Sequence, residues 1–315
     1  MSLDKSYIGD SMLSLYKLEI FTAVVDTGSF SKAAERLLLT QSAISQHIND
    51  LEISLGTRLF DRGPRGVTLT DTGVTLHEYT QQILHLIAEA QNAVTDVSKL
   101  KNGQITVGAT PGVNVYLLPQ WINNFRKQFA HLTISAQTNT TKQLIALLAN
   151  RQLDIAVIEG EIDTYQQDHL GSIILEEIQL FVIVGKDHPF WDRDTIHTEE
   201  LSQQAFIARP PASQTRIWTD SLLHTLNIQP NIIAEFDNQE AMKQAISNGM
   251  GITLLPDYAV QNEVTMGTLR ALKINNLELV RHIKLIWDNR HIFSPVTIAF
   301  LKDLSISYPQ INSII

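Results

Sequence analysis

Residues Gly28 to Gly73 read GSFSKAAERLLLTQSAISQHINDLEISLGTRLFDRGPRGVTLTDTG. Two short helical patterns lie back to back in this run. The first carries Phe30, Ala33, Ala34, Leu37 and Leu38 as its apolar residues, with Ser29 or Ser31 able to cap it. Leu39 and Thr40 make the turn, and the Thr40 hydroxyl can accept from a backbone N–H of the next helix. That helix runs from Gln41 to about Leu55. Ala43, Ile44, Ile48, Leu51 and Leu55 recur at spacings of 3, 4 and 7 and form its inward stripe. Its other face, Gln41, Ser42, Ser45, Gln46, Asn49 and Glu52, is polar and short-chained. Amides and hydroxyls in such an array can exchange hydrogen bonds with base edges in a major groove.

After Gly56 the chain passes through Arg58 and Arg62 to Gly63-Pro64-Arg65-Gly66 and then Val67-Thr68-Leu69, the pattern of a two-stranded wing with a tight tip. A helix pair with a tight turn followed by a basic hairpin predicts a winged helix-turn-helix. A helical hairpin that only packs would not need the polar second helix or the arginines beside the tip. The candidate DNA-contacting residues are Ser31, Thr40, Gln41, Ser42, Ser45, Gln46, Arg62 and Arg65. Upstream, Leu18, Phe21, Ala23, Val24 and Val25 in Leu15 to Val25 supply the third helix of a small core.

The run from Gly28 to Arg62 resembles the signature of LysR-type transcriptional regulators. The likeness extends over almost the whole chain from about Leu13, through Asp187-His188-Pro189-Phe190 and the run GMGITLLP at Gly249 to Pro256. It implies a DNA-binding regulator whose winged domain is joined by a dimerising linker helix to a two-lobed effector region. That region would resemble a periplasmic binding protein, with two strands crossing between the lobes. The crossings are expected near Glu176–Gln179 and Arg270–Lys273. The expected fold is therefore α/β with an N-terminal winged helix-turn-helix. Its domains are residues 13–70 for DNA binding, 71–101 for the linker helix, 102–177 with 272–315 for the first lobe and 178–271 for the second. Residues 1–12 read as a loose extension.

The linker reading also stands on spacing. From Thr70 to about Lys101 no proline interrupts the chain, and Thr70 or Asp71 can cap it. Leu76, Ile83, Ala90 and Val97 repeat every seven residues, and so do Tyr79, Leu86, Ala93 and Leu100. This a/d seam predicts a coiled coil with a second copy, giving a homodimer or a dimer of dimers. Leu76, Tyr79, Ile83, Leu86, Ala90 and Val97 are the candidate dimerisation residues.

From Gln104 onward strands and helices alternate. A helix is expected over Val113–Phe129, and the strands are expected to run parallel. Ligands of open α/β sheets collect beyond the carboxyl ends of strands. Three such junctions carry Ser or Thr: Ala109-Thr110-Pro111-Gly112, Asn139-Thr140-Thr141, and Arg209 to Thr215. Thr110, Thr140, Arg209, Ser213 and Thr215 are the candidate effector contacts. Hydroxyls, helix N-termini and one arginine suit a small organic anion. In several relatives the third junction reads like EPGSGTR; here it is PPASQTR, with Ala212 and Gln214 in place of the glycines.

Bulk composition narrows the remaining classes. The net charge of −9 argues against non-specific nucleic-acid binding. Six basic and seven acidic residues between Leu13 and Asp71 leave the DNA-binding segment itself at −1. Tight binding then needs two or more such domains on one inverted-repeat site of double-stranded DNA, with backbone N–H groups and helix N-termini sharing the phosphate contacts. With no cysteine, there is no disulfide, thiol chemistry or cysteine-based zinc site. No nucleophile elbow, P-loop, dinucleotide fingerprint or metal-ligand spacing occurs, so neither an enzyme, a cofactor nor a metal is expected. Asp154, Glu159, Glu161 and Asp163 read as an acidic, solvated loop. No signal peptide or apolar run long enough to span a bilayer is present, which predicts a cytoplasmic protein without a membrane partner and speaks against a stand-alone solute-binding protein.

Overall fold

The computed structural model describes residues 13–63, 66–93, 103–162 and 169–315. The chain divides into two compact units between Glu89 and Ala90.

The first unit opens with α1 (Leu15–Thr27), α2 (Phe30–Leu37) and α3 (Gln41–Leu55). Each starts on a hydroxyl. Ser14 accepts from Lys17 N, Ser29 from Lys32 N, and Thr40 from Ala43 N, satisfying N–H groups that the helices cannot. Ser29 is thus the cap of α2, and Ser31 lies exposed in its first turn. Each helix ends on a left-handed residue: Gly28, Leu38 and Gly56. Leu38 departs from expectation here. Its left-handed backbone turns the side chain out to 92% exposure instead of into the core. Ile20, Phe21, Val24, Phe30, Ile44, Ile48 and Leu51 form the core, each large apolar side chain contributing about 1.5–3 kcal/mol on burial.

The wing is the antiparallel pair β1 (Phe60–Gly63) and β2 (Gly66–Leu69), in register from Phe60 opposite Leu69 to Gly63 opposite Gly66. α4 (Asp71–Ala93) follows, capped by Thr70, whose Oγ1 accepts from Gly73 N at 3.0 Å. Gly73 is in a helix because a Cβ there would stand 2.1 Å from the carbonyl oxygen of Leu59. The remainder of the expected linker helix, with Val97, lies outside the described residues.

The second unit begins with β3 (Gln104–Ala109), α5 (Pro111–Tyr116), α6 (Leu118–Gln128), β4 (Thr133–Thr138), α7 (Thr141–Ala149) and β5 (Ile155–Glu159). The single helix expected over Val113–Phe129 is two helices, broken at Leu117, with Pro119 lying in the first turn of the second. β3 pairs in parallel with β4 and β5. α5, α6 and the late helix α11 (Pro295–Leu304) cover one face of this sheet through Val113, Leu118, Phe125 and Phe300. α7 covers the other through Leu144 and Leu148. Burial on both faces is why β5 is wholly apolar until its last residue.

β6 (Leu170–Gly185) then runs sixteen residues and serves both lobes. In the second lobe come β7 (Thr195–Ile196), β8 (Ala205–Ala208), α8 (Gln214–Thr225), β9 (Asn231–Glu235), α9 (Gln239–Ser247), β10 (Thr253–Pro256), α10 (Asp257–Met266) and β11 (Leu269–Ile274). β12 (Val280–Asp288) returns to the first lobe, antiparallel to both β5 and β6. β10 and β11 are also antiparallel to β6. The sheet is thus mixed rather than all parallel, because β6 crosses against the direction of its neighbours.

The register also corrects the lobe boundaries. β6 pairs with β12 as far as Gln179 and with β10 from Leu180, so the first crossing falls at 179/180, at the end of the expected Glu176–Gln179 segment, and the lobe boundary moves there from 177/178. Arg270–Lys273 is not a crossing. Arg270 pairs with Val184 and Lys273 with Thr195, inside the second lobe. The return runs through residues 275–279, between β11 and β12.

Candidate functional site

The polar face of α3 is presented as its pattern predicted. Gln41, Ser42, Gln46 and Asn49 are exposed and Ser45 half-exposed. Thr40 Oγ1 and Ser42 Oγ lie 3.0 Å apart, and Gln46 Nε2 donates to Asp50 Oδ1 at 3.0 Å, one turn on. Glu52 does not belong to this face. Its Oε1 accepts from Leu59 N and Phe60 N at 2.7 and 3.2 Å, tying the end of α3 to the start of the wing. Arg62 lies in β1, and Arg65 falls outside the described residues. On α4, Tyr79, Leu86 and Ala90 are exposed and Ile83 half-buried. Leu76 is a correction to the seam, because it packs against the winged domain's own core.

In the second unit, Thr110, Thr140, Arg209, Ser213 and Thr215 line one pocket between the lobes, together with Pro111, Gly112, Thr141, Glu159, Gln214 and Gln239. The pocket opens to solvent, and its ≈ 440 Å3 of empty space includes part of that opening. Strand ends bring these residues together. Thr110 follows β3, Thr140 follows β4, Glu159 ends β5, Arg209 follows β8, and Gln239 opens the helix after β9. Gly112 is required by close packing, since a Cβ there would lie 2.6 Å from Tyr258 Oη and 3.2 Å from Gln239 Oε1.

The hydroxyls are partly committed. Thr110 Oγ1 accepts from Glu159 N (3.1 Å), Ser213 Oγ from Arg216 N (3.1 Å) and Thr215 Oγ1 from Arg281 Nη1 (3.2 Å). Each keeps its own proton for an acceptor in the pocket. Thr140 does not. Its hydroxyl donates to Gln143 Oε1 at 2.8 Å within a capping box, so it shapes the N-terminus of α7 rather than offering a donor.

Charge in the pocket is arranged around two arginines. Arg209 donates to Phe236 O at 3.4 Å and, among the described residues, has no carboxylate within ion-pair distance. Burial pushes its guanidinium down from its ordinary value, against the opposing pull of Asp237 and Glu159. Arg281 is 3% exposed and pairs with Glu159, itself 5% exposed, while its Nη2 donates to the Glu159 backbone oxygen at 3.1 Å. Tyr258 Oη donates to the other Glu159 oxygen at 2.5 Å, and burial, with that carboxylate beside it, raises the phenol well above its ordinary value. A protonated Tyr258 is thus a fixed donor. Glu159 is therefore no part of a solvated acidic loop. Asp154 is also committed, accepting from Thr106 N at 2.7 Å, and Glu161 pairs with Lys284; Asp163 lies outside the described residues.

Sequence reasoning missed Glu159, Arg281, Thr141 and Gln239. The strand-end rule, extended to the junction after β9, would have found Gln239. A carboxylate at the end of a wholly apolar strand was the signal for Glu159. Nothing local marks Arg281, which sits 122 residues from its partner. Further links join the lobes. Tyr116 Oη donates to Glu240 Oε1 at 2.6 Å, and Lys243 Nζ lies 5.0 Å from the Tyr116 ring centroid.

No helix among the described residues is long and apolar enough to cross a membrane. Among the same residues no cluster of three or more His, Asp or Glu side chains could hold a metal ion.

Comparison with known proteins bears directly on this architecture. Residues 15–74 match the family model described as "Bacterial regulatory helix-turn-helix protein, lysR family", and residues 98–305 match "LysR substrate binding domain". The chain is 32% identical over 300 residues to the probable RuBisCO transcriptional regulator of Synechocystis sp., covering 94% of this chain and 87% of that protein. It is also 32% identical to the one of Cyanophora paradoxa, over 95% of this chain and 94% of that one. Three solved structures share the fold. CbnR in complex with its target DNA superposes with a TM-score of 0.71 at 18% identity, covering 94% of this chain and 100% of CbnR. The effector-binding domain of QuiR with shikimate gives 0.58 at 25%, over 66% of this chain and 98% of that domain. The CcmR regulatory domain of Synechocystis with 2-PG gives 0.60 at 23%, over 65% and 97%. The relatives are regulators rather than enzymes, and by the matches to both halves this chain belongs to the LysR family of DNA-binding transcriptional regulators with an effector-binding region.

Proposed function

We propose that the protein binds inverted-repeat sites in double-stranded DNA as a homodimer or dimer of dimers, in the cytoplasm, and that a small organic anion held between its lobes controls that binding. The observation that carries the effector reading is the convergence of Thr110, Arg209, Ser213 and Thr215 on one pocket. There, three hydroxyl protons and a guanidinium without a carboxylate partner face a space ringed by helix N-termini. The effector-binding domain of QuiR, of the same fold, is in complex with shikimate, a carboxylate. On the DNA side, Gln41, Ser42, Ser45 and Gln46 would face bases, with Ser31, Thr40, Arg62 and Arg65 toward the backbone. Tyr79, Ile83, Leu86 and Ala90, continued by Val97, would form the seam between copies. An anion that prefers one lobe arrangement by about 1–3 kcal/mol would shift the balance of DNA-binding states some 5- to 150-fold.

Isothermal titration with a panel of metabolic acids tests the effector site. At least one acid should bind the wild type, and Arg209→Ala and Thr215→Val should weaken it tenfold or more, about 1.4 kcal/mol. Full affinity in both variants would place the site elsewhere. The seam is tested by sedimentation of Ile83→Asp. A carboxylate at mid-seam should cost several kcal/mol and yield smaller particles, whereas an unchanged assembly would remove the coiled coil.

A further inference from the structure

Two oxygens in the pocket have no partner. Gln239 Oε1 and Thr141 Oγ1 are buried and make no hydrogen bond, although Gln239 is only 8% and Thr141 only 4% exposed. Both residues line the pocket that holds Arg209. A buried polar group left unpaired is costly, so each asks for a partner, and in an open pocket a ligand can supply it. The two sit at the start of α9 and α7, helices of nine residues each. The pocket therefore offers two kinds of contact. Arg209 with the hydroxyl protons of Thr110, Ser213 and Thr215 suits one anionic group. Gln239 offers an acceptor and Thr141 a hydroxyl, which together suit a polar hydrogen-bonding group on the same ligand.

The charge of that group follows from what surrounds it. Glu159 is neutralised by Arg281, Arg216 is paired with Asp220 and Glu235, and Glu240 with Lys243. Arg209 thus remains as the fixed charge without an opposite partner in this part of the pocket. One unpaired cation matches one anionic group, while a second carboxylate would be set against the carboxamide oxygen of Gln239 or beside Glu159. An ammonium donor would share the pocket with Arg209. A hydroxyl meets neither penalty.

We propose that the effector is a monoanionic hydroxy acid, its carboxylate held at Arg209 and its hydroxyl donating to Gln239, with Thr141 as the second contact, so that Gln239 and Thr141 set specificity. This rests on the anion reading above and narrows it. Gln214, which also lines the pocket, fits the same conclusion. A side chain there keeps the ligand off the backbone and leaves recognition to side-chain oxygens.

The test is titration calorimetry on the full-length protein with matched pairs: glycolate and acetate, glycerate and propionate, quinate and cyclohexanecarboxylate. Malate and alanine probe charge. In at least one pair the hydroxy acid should bind at least about tenfold tighter than its partner, because the site leaves its acceptors unpaired without the hydroxyl. Malate and alanine should bind more weakly than that acid. Gln239→Leu should bring the pair together by removing the advantage of the hydroxy acid. Thr141→Val provides an independent second removal should circular dichroism show Gln239→Leu to be unfolded. Deoxy acids that bind as tightly as their partners overturn the proposal, as does a preference that survives both variants. Tightest binding by malate or alanine overturns the charge assignment. If none of the acids binds the wild type, the anion reading itself fails and takes this one with it.

Discussion

The recognition face of α3 and the pocket between the lobes are both polar surfaces built to read a partner, yet they are assembled in opposite ways. On α3 the polar contacts are local: Gln46 reaches Asp50 four residues away and Thr40 reaches Ser42 two away. The groups are exposed, and the apolar stripe beneath them holds the helix without their help. In the pocket the contacts are long-range. Thr110 meets Glu159 across 49 residues, Arg281 meets Thr215 across 66, and Tyr258 meets Glu159 across 99. Reading and folding are thus separate tasks in the first unit and the same task in the second. DNA specificity can change by surface substitution at little cost in stability, whereas a change at the floor of the pocket acts on the fold as well.

The largest test of this contrast is Arg281→Leu. It leaves the Glu159 carboxylate buried without its cation, which should cost about 3–5 kcal/mol. All four tryptophans, Trp121, Trp191, Trp218 and Trp287, lie in the second unit. Urea unfolding followed by their fluorescence therefore reports on that unit alone. Replacing Glu159 by leucine as well should recover most of the loss, and a double variant as unstable as the single one would break the account of the pair. Next in size is Gln46→Ala. It should lose about 1–3 kcal/mol of binding on the true DNA site and little on random DNA, as read by a shift assay. Its unfolding should move by less than about 0.5 kcal/mol. Equal losses on both DNAs would show that Gln46 does not read sequence.

The smallest effect concerns a local pair inside the second unit, which should behave like the recognition face. Arg193 donates to both oxygens of Glu200 at 2.8 and 2.7 Å and holds that carboxyl down to about 2. A depressed carboxyl stabilises the fold above its ordinary value near 4.5, and the contribution is lost as pH falls toward about 2. Glu200→Gln should accordingly lower the melting midpoint slightly at pH 7 and not at all below about pH 2. A large loss at pH 7 would mean that locality is not what separates the two regions.

The same contrast explains what could be read from the chain beforehand. The winged domain is written in spacings of three, four and seven, so its helices, caps and wing were legible. The misreading of Leu38 came from treating an apolar residue at a helix end as core, when the left-handed turn that separates α2 from α3 throws it outward. Glu52 is not legible as a fold contact, because its partners, Leu59 N and Phe60 N, lie beyond the helix whose periodicity places it on the polar face. Five pocket residues were legible because strand ends followed by Ser or Thr are local signals. Arg281 was not, since it sits in an ordinary strand, and although the carboxylate ending apolar β5 marks Glu159, only the pairing of β5 with β12 brings the two together. The return crossing was placed too early for a related reason. Leu269–Ile274 has the composition of any strand, and its membership in the second lobe is decided by its pairing with β6 and β7.

β6 belongs to both lobes, pairing with β12 through Gln179 and with β10 from Leu180. This bears on how new specificities can be made by exchange between relatives. A second lobe transplanted at a single junction would carry half of one strand and leave the other crossing unmatched. A working chimera needs two junctions, one at 179/180 and one within 275–279, so that each sheet keeps a complete set of neighbours. Even then the graft brings Tyr258 and Thr215 while the host supplies Glu159 and Arg281. Donors and hosts are therefore interchangeable only if they agree on that quartet, and a library of such hybrids would sort by it before it sorted by ligand.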